Sequence, residues 1–303
     1  MKTLTIGSRG SQLALWQANY IRDLFQKKDG NLTVEIRTIR TRGDRIRNVP
    51  LPKIGGKGLF TKEIEDALLA DEIQCAVHSL KDLPTALPEG LVFAGSPERA
   101  DPRDAFVSFK WRRLADVPDD GVIATGSYRR QALIRLQKPN IRFVELRGNI
   151  GTRLRKLKEA GWDGIIMAAA ALERLGEEEH IAEYLNPETF IPSVSQGAIG
   201  IEVNSKRTDV MELVESISDS TTVQAVLAER AFMRQLEGGC SIPLGAWGRI
   251  RDDRLILTGF ISDLKGRESL NRTLTGDPER AEELGKELAD QFIDLGGKEI
   301  LSR

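Results

Sequence analysis

After residues 6, 124 and 146 one succession recurs: a short apolar run, a loop of Gly, Ser or Thr carrying arginine, and then a helix-period pattern. Runs 3–6, 122–124 and 141–146 are apolar enough for buried strands. The segments that follow put Leu13, Trp16, Tyr20 and Leu24 on one helix face, Leu133, Ile134 and Leu136 in a second helix, and a third helix running to Ala160 before Gly161. A chain that alternates in this way is confined to the α/β class with a largely parallel sheet. The intervening loops are Gly7-Ser8-Arg9-Gly10-Ser11, Thr125-Gly126-Ser127-Tyr128-Arg129-Arg130 and Arg147-Gly148-Asn149-Ile150-Gly151-Thr152-Arg153. Free N–H groups at a helix start, joined by a guanidinium fork, suit an anion. One such loop is equally well ordinary turn chemistry. Several at equivalent strand ends gather cations around one crevice, because ligands of open α/β sheets bind beyond the carboxyl ends of the strands.

Strands expected at 33–39, 75–77 and 163–168 extend the pattern. The run 75–77 delivers His78-Ser79-Leu80-Lys81-Asp82-Leu83-Pro84 at its carboxyl end, which raises Lys81 and Asp82 above an ordinary surface pair. Cys75, inside that strand, reads as core. Lys53-Ile54-Gly55-Gly56-Lys57-Gly58-Leu59-Phe60 sets two lysines among three glycines. That composition predicts a mobile loop, its lysines solvated or reaching over a ligand, before a helix with Phe60, Ile64, Ala67 and Leu68 on one face. Residues 172–185 read as helix, with Arg174 near its start.

Stretches 96–104 and 191–198 read as crossings between domains, after which 199–203 and a helix over 209–217 return to the first. The expected domains are 1–98 with 199–217, 103–192, and 220–303: two α/β lobes about a hinged cleft, then a small α+β domain. In the last, a helix over 222–236, capped by Thr221 or Thr222, precedes strands at 244–250, 255–261 and 268–274. A tight turn at Asp252-Asp253 joins the first two strands, and a final helix starts from Asp277 as cap with Pro278 at its first position. Gly238 and Gly239 end the 222–236 helix and leave Cys240 on a loop.

With 44 basic and 45 acidic residues the net charge is −1, whereas a general nucleic-acid or membrane-surface binder carries a one-signed excess. Two cysteines without paired spacing and two histidines point to neither a disulfide framework nor a metal centre. No run has the length of a membrane span or the form of a signal core, so a cytoplasmic protein is expected. The pattern G-x-x-x-x-G-K-[ST] is missing, which disfavours a nucleoside triphosphate. A Cys/His hydrolase is poorly supported, since His78 alone is a candidate to activate Cys240. Clustered guanidinium groups instead suit a ligand carrying several carboxylates or phosphates.

Arg9-Gly10-Ser11 with Leu13-Ala14-Leu15-Trp16-Gln17-Ala18, Thr41-Arg42-Gly43-Asp44, Gly55-Gly56-Lys57-Gly58-Leu59-Phe60, His78-Ser79-Leu80-Lys81-Asp82, Arg129-Arg130-Gln131, Arg147-Gly148-Asn149 and Glu237-Gly238-Gly239-Cys240 occur in this order. Jointly they are very specific, and over practically the whole chain they resemble the porphobilinogen deaminases. The resemblance implies two lobes like those of periplasmic binding proteins and a third domain whose Cys240 holds a dipyrromethane cofactor by a thioether. It implies a monomeric transferase of tetrapyrrole biosynthesis that joins four porphobilinogen molecules head to tail, losing ammonia each time, before water releases hydroxymethylbilane. It makes Asp82 the catalytic carboxylate, steadying the cation left when ammonia departs. It assigns Arg9, Lys81, Arg129, Arg130, Arg147, Arg153 and Arg174 to cofactor or substrate carboxylates, assisted by Ser11, Thr125, Ser127 and Asn149. Lys53 and Lys57 fall in the glycine loop expected to move over the cleft.

This chain departs from the family pattern at Gly126-Ser127-Tyr128, where Ser-Ser-Leu is usual, and at Glu173, where relatives can carry a basic residue. Two other readings compete. A two-lobed carrier of a small polyanion accounts for the cations but leaves Asp82 and Cys240 idle. A nucleic-acid binder conflicts with the balanced charge and predicts binding that weakens steeply with salt.

Overall fold

The computed structural model describes residues 3–45, 58–237 and 242–303. Lys53, Lys57 and Cys240 lie outside the described residues. In chain order, β1 (Thr3–Ser8), β2 (Thr33–Thr38), β3 (Cys75–Ser79) and β4 (Leu91–Gly95) come first. Next are β5 (Asp104–Val107), β6 (Val122–Ala124), β7 (Arg142–Val144), β8 (Gly164–Ala168) and β9 (Ile181–Tyr184), followed by β10 (Ile199–Asn204). Last are β11 (Leu244–Arg251), β12 (Arg254–Ser262) and β13 (Ser269–Gly276). The chain divides into two compact units, Met1–Arg99 with Ala198–Val223, and Ala100–Gly197 with Gln224–Arg303.

The sheet of the first unit runs β2-β1-β3-β10-β4, with β1 parallel to β2 and β3, and β10 antiparallel to β3 and β4. The second unit repeats the plan as β7-β6-β8-β5-β9, with β6 parallel to its neighbours and β5 antiparallel to both of its own. In each sheet the first antiparallel strand is the one made where the chain arrives from the other unit. The three strands before it are parallel, so their carboxyl ends share one edge. Leu4, Ile6, Val77, Ile201 and Val203 line one face of the first sheet against Ile21 and Phe25 of the helix Gln12–Lys28. The strand β8 is buried at every residue, as a strand covered on both faces must be.

The last three strands form an antiparallel sheet in the order β11-β12-β13. Phe232 of the helix Ser220–Gln235 meets Phe292 of the helix Ala281–Asp294 edge to face over it, ring centroids 5.1 Å apart. Asp252 and Asp253 take φ of 50° and 55°, the left-handed pair that a two-residue hairpin turn requires. Asp277 caps as expected, its carboxylate accepting from the Glu279 N–H at 2.9 Å. Among the described residues no helix is long and apolar enough to cross a membrane.

Three expectations need correction. The segment 172–185 is not one helix. The helix Ala169–Glu173 stops short of Gly176, whose φ is +68°, and the chain then forms β9 beside β5. Pairing with an open sheet edge and a left-handed glycine outweigh helix propensity there. In the first helix the buried face is Gln17, Ala18, Ile21 and Phe25, while Trp16 is 36% exposed and stacks on Tyr20. Gln17 turns inward because its amide exchanges hydrogen bonds with the Ser79 hydroxyl, at 3.0 and 3.1 Å. Finally, the helix Ser220–Gln235 is started by Asp219, not by a threonine: its carboxylate accepts from the Thr222 N–H at 2.7 Å and the Thr221 hydroxyl at 2.6 Å. Asp219→Ala is expected to cost about 1 kcal/mol in urea unfolding, and an unchanged midpoint would show the cap to be idle.

Candidate active site

In the first unit β1 ends at Ser8 and β3 at Ser79, parallel neighbours, so the chain leaves both at the same edge. Arg9, Gly10 and Ser11 follow the first, and the 3₁₀ turn Leu80–Asp82 follows the second. Between them is a pocket, open to solvent, whose lining includes Arg9, Ser11, Gln17, Phe60, His78 and Asp82. Asp82 is exposed toward solvent and Lys81 beside it is half-buried. Ser11 caps the helix Gln12–Lys28, accepting from the Ala14 N–H at 3.3 Å. The positive end of that helix therefore adjoins the pocket.

Arg9 is held from two sides. Its guanidinium donates to Asp44, with nitrogen–oxygen distances of 2.5 and 3.2 Å, and lies 4.3 Å over the Phe60 ring. Burial pushes the Asp44 carboxyl up, but Arg9 and the Thr41 donors outweigh it and hold the group below the usual carboxylate range. From the sequence Asp44 belongs only to a motif, and Phe60 to a motif and to a helix face, although the helix begins at Lys62 and leaves Phe60 in the turn before it. Their spacing from Arg9 in the chain gives no signal that they brace it, although Asp44 three residues after Thr41 fits a local turn.

The floor of the pocket holds a buried pair. His78 Nε2 lies 3.1 Å from Glu202 Oε2, with the two residues 6% and 0% exposed. They meet because β3 and β10 are antiparallel neighbours with Gly200 opposite His78 and Glu202 opposite Ala76, which puts all four on one sheet face. The helix Lys62–Leu69 covers this face with Ile64, Leu68 and the buried Glu65. Burial, joined by the Glu202 charge, raises the Glu65 carboxyl above its usual range, with Thr61 and His78 opposing. Neither Glu65 Oε1 nor Glu202 Oε1 has a hydrogen-bond partner among the described residues.

In the second unit the loops after β6 and β7 are built alike. Ser127 caps the helix Tyr128–Arg135 and Asn149 caps Ile150–Ala160, their oxygens accepting from the Arg130 N–H at 3.4 Å and the Thr152 N–H at 2.9 Å. Thr125, buried, receives the Ser127 N–H on its hydroxyl at 3.2 Å. Arg147 donates to Glu145 at 3.2 Å, Arg153 to the Gly148 carbonyl at 2.8 Å, and Arg174 to the Gly197 carbonyl at 2.7 Å. At Gly126 an added Cβ would stand 2.9 Å from the Glu145 carboxylate, so the departure from serine there matches a crowded loop. Glu173 faces outward and accepts from the Tyr184 hydroxyl at 3.0 Å.

Arg129 and Arg130 differ from the other candidate site arginines in being buried, 4% and 8% exposed. Both grip Asp104, which is 0% exposed: Arg129 Nη1 at 2.8 Å on one oxygen, Arg130 Nη2 at 2.6 Å on the other, with Gln196 adding a third donor at 3.2 Å. Asp104 had been read only as the end of a crossing.

The donor set of the first pocket fits a pyrrole bearing two carboxylates. A braced guanidinium and a helix start can receive carboxylates, and Asp82 can accept from a ring N–H. A dipyrromethane is built of such rings, so these residues suit it as well as a free substrate.

Comparison with known proteins agrees. Residues 4–212 match the family model "Porphobilinogen deaminase, dipyromethane cofactor binding domain", and 223–294 match "Porphobilinogen deaminase, C-terminal domain". The porphobilinogen deaminase of Syntrophomonas wolfei is 46% identical over 99% of this chain and 98% of its own. That of Citrifermentans bemidjiense is 45% identical over 100% of this chain and 95% of its own. Among solved structures, a lipoprotein of the YaeC family from Enterococcus faecalis aligns with a TM-score of 0.42 at 14% identity, over 74% of this chain and 94% of that one.

Proposed function

The chain belongs to the porphobilinogen deaminase family, and from that premise we propose how its residues divide the work. It is a transferase of tetrapyrrole biosynthesis that condenses porphobilinogen head to tail, losing ammonia, on a dipyrromethane cofactor, and releases hydroxymethylbilane by hydrolysis. When bound, the cofactor supplies the nucleophilic pyrrole carbon to which the first substrate unit is joined.

Asp82 accepts the pyrrole N–H of the reacting ring. As ammonia leaves the aminomethyl carbon, positive charge spreads onto that ring, and a fixed carboxylate at its N–H lowers the energy of the charged species. Arg9, braced by Asp44 and Phe60, receives a ring carboxylate with little loss of side-chain freedom. Ser11 and Lys81 complete that reception. On the second unit Arg129, Arg130, Arg147, Arg153 and Arg174 serve the carboxylates of the cofactor and the growing chain, with Thr125, Ser127 and Asn149 fixing the loops that carry them. Cys240 would hold the cofactor by a thioether. The observation that carries this reading is the meeting of Asp82, Arg9 and Ser11 in one pocket beyond adjacent parallel strands.

We read 1–98 with 199–217, 103–192 and 220–303 as three domains, supported by a separate sheet in each. We read the protein as a cytoplasmic monomer that binds neither nucleic acid nor membrane, and its net charge of −1 supports the last two points.

Intact-mass measurement tests the attachment. The native protein is expected to be heavier than its sequence by one dipyrromethane, and Cys240→Ser to have the bare mass. Cys75 is a poor rival, since burial pushes its thiol up to about 12 and leaves it protonated at neutral pH. A native protein of bare mass, or a Cys240→Ser variant that keeps the added mass, rules out Cys240 as the anchor.

A further inference from the structure

Nothing assigned so far uses the pair buried under the pocket. We infer that His78 is a second catalytic residue of this reaction, a base facing the pyrrole pocket, and that Glu202 is the positioning residue that sets its tautomer. The inference rests on the placement of the substrate ring at Asp82 argued above.

His78 lines the same pocket as Asp82. One ring nitrogen, Nε2, is spent on Glu202 at 3.1 Å. Among the described residues no hydrogen bond is made to the other, Nδ1. A carboxylate that accepts from Nε2–H leaves Nδ1 with its lone pair, which is the arrangement of an oriented imidazole base. Among the described residues the charged groups near the ring are Glu202 on β10, Glu65 on the covering helix with Asp66 beside it, and Asp82 and Arg9 at the pocket. A charged carboxylate at 0% exposure is costly unless something needs it. Gln17 and Ser79, which satisfy each other in the same wall, show that neutral partners suffice for structure there.

The reaction contains a proton that needs a carrier. The aminomethyl nitrogen of bound substrate is protonated; its bond to carbon breaks, and ammonia leaves with the bonding pair. The α-carbon of the preceding ring then bonds to that methylene carbon. The hydrogen on this α-carbon departs as a proton, and the electron pair of its bond to carbon restores the aromatic ring. His78 Nδ1 takes that proton and passes it to the ammonia, which leaves as ammonium. Atoms and charge balance without any further reactant, and Asp82 stays ionised to hold the next ring.

The chain has two histidines, so the imidazole ¹⁵N spectrum of the intact protein contains two ring systems, and His78→Gln identifies one. His78 is expected in the Nε2–H tautomer, and Glu202→Gln is expected to mix the tautomers. His78→Gln should lower kcat about 100-fold, the low end of general-base contributions, with KM within about 2-fold, and abolish the acidic limb of the kcat–pH profile. Glu202→Gln should lower kcat by a smaller factor and displace that limb, and His180→Gln should match wild type. A folded His78→Gln with wild-type kcat and pH profile overturns the inference, and so does a wild-type Nδ1–H tautomer. If His78→Gln does not fold, the wild-type tautomer and the Glu202→Gln profile decide. Wild-type turnover in His78→Gln beside a dead Asp82→Ala sinks this inference alone; an active Asp82→Ala sinks the placement of the ring.

Discussion

Asp82→Ala is expected to lower turnover of porphobilinogen by about 10²–10⁴, the range for removing one positioned proton-handling or charge-stabilising group. Purified Asp82→Ala should still show a mass above that of its bare chain, because Asp82 is exposed on a 3₁₀ turn and contributes nothing to the core. The effect should fall on kcat more than on KM. Arg9, Ser11 and the helix behind Ser11 remain to hold carboxylates in both the ground state and the transition state, whereas Asp82 matters most when the ring becomes cationic. Asp82→Asn separates charge from hydrogen bonding. It keeps an acceptor for the ring N–H and loses the negative charge, so it should be nearly as slow as the alanine variant. Initial rates at saturating substrate, with intact mass on the same samples, measure both halves. Near-normal turnover in either variant would remove Asp82 from the mechanism.

How far the sequence carried depends on how local each feature is. The cap at Asp277 was legible because it stands immediately before Pro278, and a side-chain oxygen has only a few residues to reach; Ser11, Ser127 and Asn149 were legible on loops before helices, and their capping is what the structure adds. Seven of the ten strands in the two sheets were legible, β8 most plainly as an unbroken apolar run, whereas β4, β5 and β9 were not legible as strands. Pairings between distant residues were not. Glu202 is 124 residues from His78, and neither carries a mark of burial in the sequence. The loss of the 172–185 helix is of the same kind: β9 exists because β5 offers it an edge, and that edge lies outside any local window. Arg129 and Arg130 were legible as an arginine pair on a strand-end loop, but their burial depends on Asp104, which begins a strand formed by the crossing chain. Cys240, Lys53 and Lys57 were singled out from the sequence and lie outside the described residues.

Asp104→Ala is expected to be the most destabilising single change in the second unit, costing at least about 3–5 kcal/mol. That range applies when one partner of a buried ion pair is removed and a single charge is stranded. Here two guanidinium groups are stranded together, at 4% and 8% exposure, next to each other in sequence and in space. Against a total stability of roughly 5–15 kcal/mol this threatens folding itself, so Asp104→Asn is the variant to measure alongside it. The amide keeps one accepting oxygen for Arg129 or Arg130, removes the charge, and sets an N–H donor against the other guanidinium. The pH dependence has a definite sign. Burial pushes the Asp104 carboxyl up, but Arg129, Arg130 and Gln196 more than offset it and hold it down at about 2. The unfolded value is about 3.9. A depressed carboxyl stabilises the fold above the unfolded pKa, and that contribution is lost as pH falls from about 4 through 2. Urea unfolding midpoints of wild type should therefore drop across that window, and those of Asp104→Asn should start lower and drop less. Equal midpoints at pH 7 would show that the two arginines find water or other acceptors once Asp104 is gone, and that the buried triad does not hold this unit together.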